Sequence, residues 1–364
     1  MTVTTQTQIA GPVNYVYQVN LLRRIKPLCP YFTGTVPAEI TSGSGTFSAK
    51  WRRYEHLTPV TTALTEITGS LAFPTRTAVQ PSVTDLTATV SKYGNFIFLN
   101  EEVDLVNITP TTMTLTGVLG DNAGRSLNRL QRNIFEDNTT SILSSVATTA
   151  TNVTGQATAS GFISRSLIAQ AVNTLNRNDA MRFMPETTGS QNIGTAPVRE
   201  SYWAITHPDV EEDIRNLTGF QSVETYAGQT ETQPGEFGHV GGVRFIATTE
   251  STIDAGLGLA ATASTTSDGR TTSNRFDRYN TVIFGKEAVG SLGLDANHVK
   301  ETYYTGDRLP AVMMIAHPKG SAGAADPLNE VGSIGWKSWH TGIVLNTSWV
   351  RNIIHSASRL TIGS

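Results

Sequence analysis

The stretch from Lys50 to Leu105 constrains the fold most, because KWRRYEHLTPVTTALTE and, further on, TDLTATVSKYGNFIFLNEEVDLV read as two alternating strands joined by a wide connection. Trp51, Arg53, Glu55 and Leu57 share one face of the first strand, and Arg52, Tyr54 and His56 share the other. In the second, Leu86, Ala88 and Val90 alternate with Thr87, Thr89 and Ser91. Neither strand has the continuous apolar run of one buried on both faces. A two-stranded arm of this kind is marginal alone, so the pattern predicts that it lies on another surface, in the first instance a neighbouring subunit. Pro59, Gly69, Pro74 and Pro81 punctuate the connection, which suits a protruding finger with a loose tip.

Three patches recur in a fixed order. They are RRY…L…TT.LTE followed by T…ATVSKYG, then GHVGGVRFIATTE at Gly238–Glu250, then DPLNEVGSIGWKSWHTGIVLNTSWVRNIIH at Asp326–His355. Together they resemble the major capsid proteins of tailed bacteriophages, specifically the N4-like coat-protein group with the HK97-type fold, over about residues 15–355. The resemblance implies an α+β fold with an N-terminal arm (1–45) and an extended two-stranded E-loop (46–98). It further implies a peripheral domain with a long spine helix (99–198 and 327–364) and a central axial domain (199–326). The implied function is self-assembly, as hexamers and pentamers, into an icosahedral shell around double-stranded DNA, in a virion assembled in the bacterial host cytoplasm. The implied partners are other copies of the chain, together with scaffolding, decoration or cement, and portal proteins. Arg52, Arg53, Tyr54, Glu66 and Tyr93 are the expected intersubunit contacts. Some capsids of this fold join a Lys to an Asn by an isopeptide bond, but Lys50, Asn346 and Asn352 match no such motif.

Charge and composition agree with a folded structural protein. The 364 residues are 38% hydrophobic and 16% charged, and Thr, Ser, Gly and Asn fill the gap left by the low charged share. With 27 basic and 30 acidic residues the formal net charge is −3, so no global basic footprint signals strong nucleic-acid binding. Weak, non-specific contact with packaged DNA is the expectation, and a container needs no more. Cys29 is the lone cysteine, which excludes an intrachain disulfide and a cysteine zinc site; between Pro27 and Pro30 it reads as a small buried hydrophobe. The N-terminal sequence lacks the basic start and apolar core of a signal peptide, and no stretch approaches the roughly 18 apolar residues of a membrane span.

Residues 1–40 read as an irregular tether. Beyond the arm, Leu119, Ala123, Leu127, Leu130 and Ile134 follow one helical face, the spine helix of the resemblance. Arg125, Arg129 and Arg132 form a basic stripe on that helix. Three readings stand side by side for the stripe: a solvated face, ion pairs with Glu101, Glu102 or Asp104 of a neighbour, or a lumenal face touching DNA. Ser164 reads as the N-cap of a second helix with Leu167, Ala171 and Leu175 inward, and a Gly/Thr/Pro-rich loop at Pro185–Pro197 as a lobe boundary. Strands are expected at Tyr202–Thr206, Val243–Thr248, Thr281–Phe284 and Val312–Ala316. A helix is expected with Pro208 in its first turn and another near Lys286–Leu292, and Gly256–Ser273 reads as a loop insertion.

Catalytic signatures are missing from the sequence. The seven histidines are scattered, and there is no H-E-x-x-H, G-x-S-x-G elbow, P-loop or EF-hand ladder. The acids at Glu211, Glu212 and Asp213 suit a helix N-terminus. The expectation is a non-enzyme without cofactor or metal. Two alternatives remain beside the phage shell: an encapsulin-like cellular compartment of the same fold, and a secreted surface-layer or adhesin protein, which should carry an export signal.

Overall fold

The computed structural model describes residues 29–40, 45–55, 57–61, 79–102, 111–137, 141–144, 147–156, 161–183, 200–226, 232–261, 268–294, 312–317, 319, 327–328 and 330–359. Most of the N-terminal tether, Glu66 with the arm tip, Asp104 and the loop at 185–197 lie outside these residues.

In chain order, β1 (Val36–Ile40), β2 (Ser48–Tyr54), β3 (Val83–Thr89) and β4 (Ser91–Asn100) precede the long helix α1 (Thr111–Glu136). Then come β5 (Ser141–Leu143), α2 (Arg165–Arg177), β6 (Tyr202–Thr206), α3 (Glu211–Arg215), β7 (Gln221–Ser222), β8 (Glu236–Val240), β9 (Val243–Ala247) and β10 (Ile253–Asp254). The remainder is β11 (Thr271–Thr272), β12 (Arg275–Phe276), β13 (Arg278–Phe284), β14 (Val289–Leu294), β15 (Val312–His317), β16 (Val331–Val344) and β17 (Val350–His355).

These strands make two principal sheets. In the five-stranded sheet the order is β1-β14-β16-β15 with β4 also on β16; in the eight-stranded sheet it is β5-β17-β13-β6-β9-β8-β7 with β10 on β13. The expected chain intervals do not follow the two sheets. Residues 91–98 pair along β16, β14 from within 199–326 joins the same sheet, and β5 and β17 from outside 199–326 complete the eight-stranded one.

Strand β16 organises the smaller sheet. Along its fourteen residues Ile334, Trp336, Ser338 and His340 are buried while Ser333, Gly335, Lys337 and Trp339 are only partly so, the period-two signature of a half-covered sheet. The covering element is α1, whose Leu119, Ala123 and Leu127 are at most 2% exposed and meet Ile334 and Trp336 in one cluster. Each such leucine contributes about 2 kcal/mol of burial. Leu130 and Ile134 are half-buried, and Phe135, off the expected stripe, is fully buried against Tyr31 and Phe284. At Gly342 a Cβ would stand 2.6 Å from both Gln131 Oε1 and Ile134 Cδ1, so a larger residue there would oblige these two side chains of the helix to move. The segment at Cys29–Phe32 joins the same cluster, with the Cys29 thiol donating to the Gly124 carbonyl (3.4 Å) and Phe32 beside His340 of β16. Burial pushes that thiol up to about 12, as suits an inert core cysteine.

The larger sheet has continuous apolar strands at its centre, because layers pack on both of its faces. All five residues of β6 are buried, in the span expected from sequence. Helix α2 lies against it through Leu167, Ile168, Ala171 and Leu175, and the Ser164 hydroxyl accepts from Leu167 N at its N-cap. Gly241 and Gly242, at φ of 62° and 85°, form the tight β8–β9 turn.

Two expectations change. Lys286–Leu292 is a turn followed by β14, not a helix. Glu287 takes a positive φ (63°), and the residues after it are claimed by the ladders of β1 and β16. The described residues of the insertion at Gly256–Ser273 are held to the body of the protein: Gly258 N donates to Phe276 O and Leu259 N to Val153 O, both at 2.8 Å, and 271–276 form a hairpin. Backbone bonds hold it, which side-chain periodicity cannot reveal. The Pro208 helix is real but short, a 3-10 turn at Pro208–Val210 running into α3.

His340 and His355 are at most 1% exposed, and burial pushes both imidazoles, and that of His239, down to about 4. His355 Nδ1 donates to Ser356 O (2.8 Å), which leaves Nε2 to accept from Thr281 Oγ1 (2.9 Å) in the neutral tautomer. Since the unfolded value is near 6.5, the unfolded chain binds protons first, and the stabilising effect of the neutral rings is complete above that value. It is lost as pH falls from 6.5 toward 4, by up to about 1.4 kcal/mol per pH unit per histidine. Glu136, Asp213 and Glu236, pushed up by burial, act with the opposite sign, so a single-site comparison isolates the effect. His340→Phe, which keeps a ring beside Phe32, should flatten the pH dependence of urea unfolding between pH 4 and 6.5; an unchanged slope would contradict the assignment.

Candidate functional site

The arm is built by β2 and β3 in antiparallel register, Trp51 opposite Leu86 and Arg52 opposite Asp85. Its root is anchored, with Ala49, Trp51, Ala88 and Val90 packing on Ile40, Leu292, Trp339 and Ile343. Cross-strand charges fix the register further out. Arg52 donates twice to Asp85 (2.9 and 3.2 Å), with Lys50 Nζ 3.7 Å from the same carboxylate, and the Arg52 hydrogen bonds hold the Asp85 carboxyl below its ordinary value. Arg53 donates to Glu55 (2.6 and 2.9 Å), and its Nη1 reaches the Leu345 carbonyl at 2.9 Å, tying the arm to its own sheet.

Of the expected contact residues, Arg52 and Arg53 are therefore engaged within the chain, Tyr54 stands 67% exposed, and Tyr93 is half-buried toward α1. Glu66 lies outside the described residues. Beyond the root the arm exposes Tyr54, Leu57, Val60, Val79 and Val83, an apolar series with no cover from its own chain among the described residues.

A second apolar surface escaped the sequence reading. On β4 the odd residues Tyr93, Ile97 and Leu99 face α1, which turns Phe96 and Phe98 to the opposite side of the sheet. These two rings are 62% and 67% exposed and stand edge to face at 5.1 Å. The signal was present in NFIFLN, a strand apolar on both faces although only one is covered. At the other end of the same surface Phe47 stacks on Trp339 (5.3 Å, 7° between planes) and the Lys92 ammonium lies 5.9 Å from that indole ring.

The arginine stripe of α1 has a partner that the sequence reading did not consider. Arg125 Nε lies 3.3 Å and Arg129 Nε 2.5 Å from the two carboxylate oxygens of Glu250, while Arg132 donates to the Glu250 carbonyl at 2.8 Å. Glu136 extends the line by accepting from Thr252 Oγ1 (2.6 Å), and burial pushes its carboxyl up. Glu250 sits in the turn after β9 with its side chain 6% exposed, whereas Arg125 and Arg129 are more than half exposed. Within the chain Glu101 and Glu102 make no ion pair with the stripe among the described residues, and Glu101 N bonds to Glu330 O at the start of β16. Some 120 residues separate Glu250 from the stripe, so only the fold brings them together.

Among the described residues no three His, Cys, Asp or Glu side chains gather as a metal site, and no helix is long and apolar enough to cross a membrane. No protein-family model matches the chain, and no curated relative does. Solved structures do. The capsid of Ralstonia phage GP4 matches with a TM-score of 0.57 at 10% identity, covering 92% of this chain and 90% of that one. The head of Helicobacter pylori bacteriophage KHP40 matches at 0.52 and 11%, covering 89% and 87%, and Microbacterium phage Oxtober96 at 0.51 and 10%, covering 89% and 90%. The chain thus has the fold of bacteriophage capsid proteins along nearly its whole length.

The Glu250 junction yields a graded expectation. Arg125→Ala should cost under about 1 kcal/mol in urea unfolding, because the side chain is exposed and Glu250 keeps Arg129. Glu250→Ala, which removes the acceptor shared by both guanidiniums, should cost about 1–3 kcal/mol. Equal costs would show that the convergence on Glu250 has no energetic consequence.

Proposed function

We propose that this chain is the major capsid protein of a tailed phage, assembling as hexamers and pentamers into an icosahedral shell around double-stranded DNA. The observation that carries the reading is an arm fastened at its root and apolar beyond it, on a fold shared with phage capsid proteins over nine-tenths of the chain. Such an arm has a use only if a second surface covers it, and a shell of copies supplies that surface at every position. In this reading the sheet built on β16 with α1 is the peripheral lobe of an HK97-type subunit, and the eight-stranded sheet is the axial lobe. Residues 46–89 are the E-loop proper, and β4 is its root in the sheet.

The local chemistry supports a structural role. Among the described residues the titratable groups with shifted values are placed by burial or by ion pairs in the arm, and the hydroxyl–imidazole pair of Thr281 and His355 is fully buried, out of reach of a substrate. Tyr54, and Glu66 with the tip, remain the arm's candidates for contact with a neighbour, whereas Arg52 and Arg53 act first by shaping the arm.

The purified protein should form closed icosahedral particles in negative-stain micrographs, and it should be the dominant protein of the virions that contain it. Deleting residues 60–82 should leave the two sheets folded by circular dichroism and thermal unfolding while abolishing closed shells. Normal shells from that variant would overturn the role of the arm, and a protein cargo in place of DNA would overturn the phage assignment.

A further inference from the structure

We propose that Arg125 and Arg129, clamped side by side by Glu250, form a binding site for the phosphodiester backbone of double-stranded DNA. This rests on the shell reading for its ligand, but its geometry stands by itself. Arg129 Nε donates to one oxygen of the buried Glu250 carboxylate at 2.5 Å and Arg125 Nε lies in ion-pair contact with the other at 3.3 Å, which leaves their terminal amino groups without partners among the described residues. A guanidinium has five N–H donors in a rigid fork, so each side chain keeps a forked pair of donors on the open side.

The two charges exceed the one that binds them. Arg132 is accounted for separately, by the Glu250 carbonyl and by Glu136 at 3.8 Å, so a surplus positive charge remains at Arg125 and Arg129, 58% and 59% exposed. Four residues apart on α1, they are displaced by about 6 Å along its axis. Successive phosphates of one DNA strand step about 3.4 Å along the duplex and rotate around it, within the span of two such side chains. Glu250 is the positioning residue: it fixes both forks before any anion arrives, which lowers the cost of ordering them on binding. The contact reads no sequence, as packaging an entire genome requires.

The test is the salt dependence of binding of a short fluorescent DNA duplex to the full-length protein kept as unassembled subunits, below the concentration at which closed particles form and bar access to an inner face, between about 50 and 200 mM salt. Each phosphate neutralised contributes about 0.9 to the slope of log affinity against log salt. Arg125→Gln alone, which leaves Glu250 paired with Arg129, should reduce the slope by about 0.9. The triple change R125Q/R129Q/E250Q removes the clamp and both forks without stranding a buried carboxylate; its net loss is likewise one positive charge, so it too should reduce the slope by about 0.9. Arg177→Gln, at an exposed arginine of α2, should leave it unchanged, and R125K/R129K, which keeps both charges but not the forks, should keep the slope while weakening binding at fixed salt. An unchanged slope in the triple variant, an equal loss in Arg177→Gln, or no binding by the unaltered protein would each overturn the proposal. Lost particle formation in the triple variant with the slope intact would also overturn it, assigning the forks to acidic groups of a second copy. Micrographs of the unaltered protein judge the shell reading separately: absence of particles defeats that reading while the slope still reports on the arginines.

Discussion

The packing of α1 on the inner face of β16 is the contact on which the rest of the molecule depends. Ile334 and Trp336 supply the apolar rows, Gly342 lets the helix come close, and the Trp336 indole N–H finds Asn122 Oδ1 at 3.0 Å, so a large aromatic is buried without an orphaned donor. Everything that leaves this junction is positioned by it. β4, and with it the arm, runs along β16 from Val331 to His340, β15 pairs with Ser333–Ser338 of the same stretch and β14 with His340–Val344, and the outer side of the helix presents its arginines to the turn that ends β9. The eight-stranded sheet is joined to the junction through Phe135, Tyr31 and Phe284, and through Glu250.

The sequence disclosed those parts of the fold whose energetics are local. The stripe from Leu119 to Leu127, the Ser164 cap and the buried run of β6 each reflect a period or a cap that one element carries by itself. It failed where a long-range ladder outvoted local preference. Residues 286–292 have a helix-compatible composition, yet the edges of β1 and β16 draw them into a strand. The candidate site divides in the same manner. An arm with alternating faces was legible, because alternation is local. That Arg53 turns inward to Leu345, that Phe96 and Phe98 stand uncovered, and that Glu250 collects the arginine stripe depend on contacts between distant segments.

A resemblance assembled from three short patches pointed to the same fold that solved phage capsids share at about 10% identity. The agreement is understandable physically. A packing such as that of α1 on β16 asks for apolar side chains of suitable size, which many sequences supply, so a fold can persist after the residues have changed.

The continuity of β3 into β4 has a mechanical meaning. Only Val90 separates the two strands, and its amide and the carbonyl of Phe47 bond at 2.8 Å, so one extended stretch from Val83 to Asn100 is free arm at one end and sheet at the other. A neighbour that tugs on the arm therefore pulls β4 lengthwise past β16. Ten residue pairs of that ladder are then loaded at once, in shear, instead of being peeled open one after another. Load applied along the arm is thereby spread over a whole row of backbone hydrogen bonds and a buried tryptophan. The strand that gives the arm its reach also gives it its tensile strength.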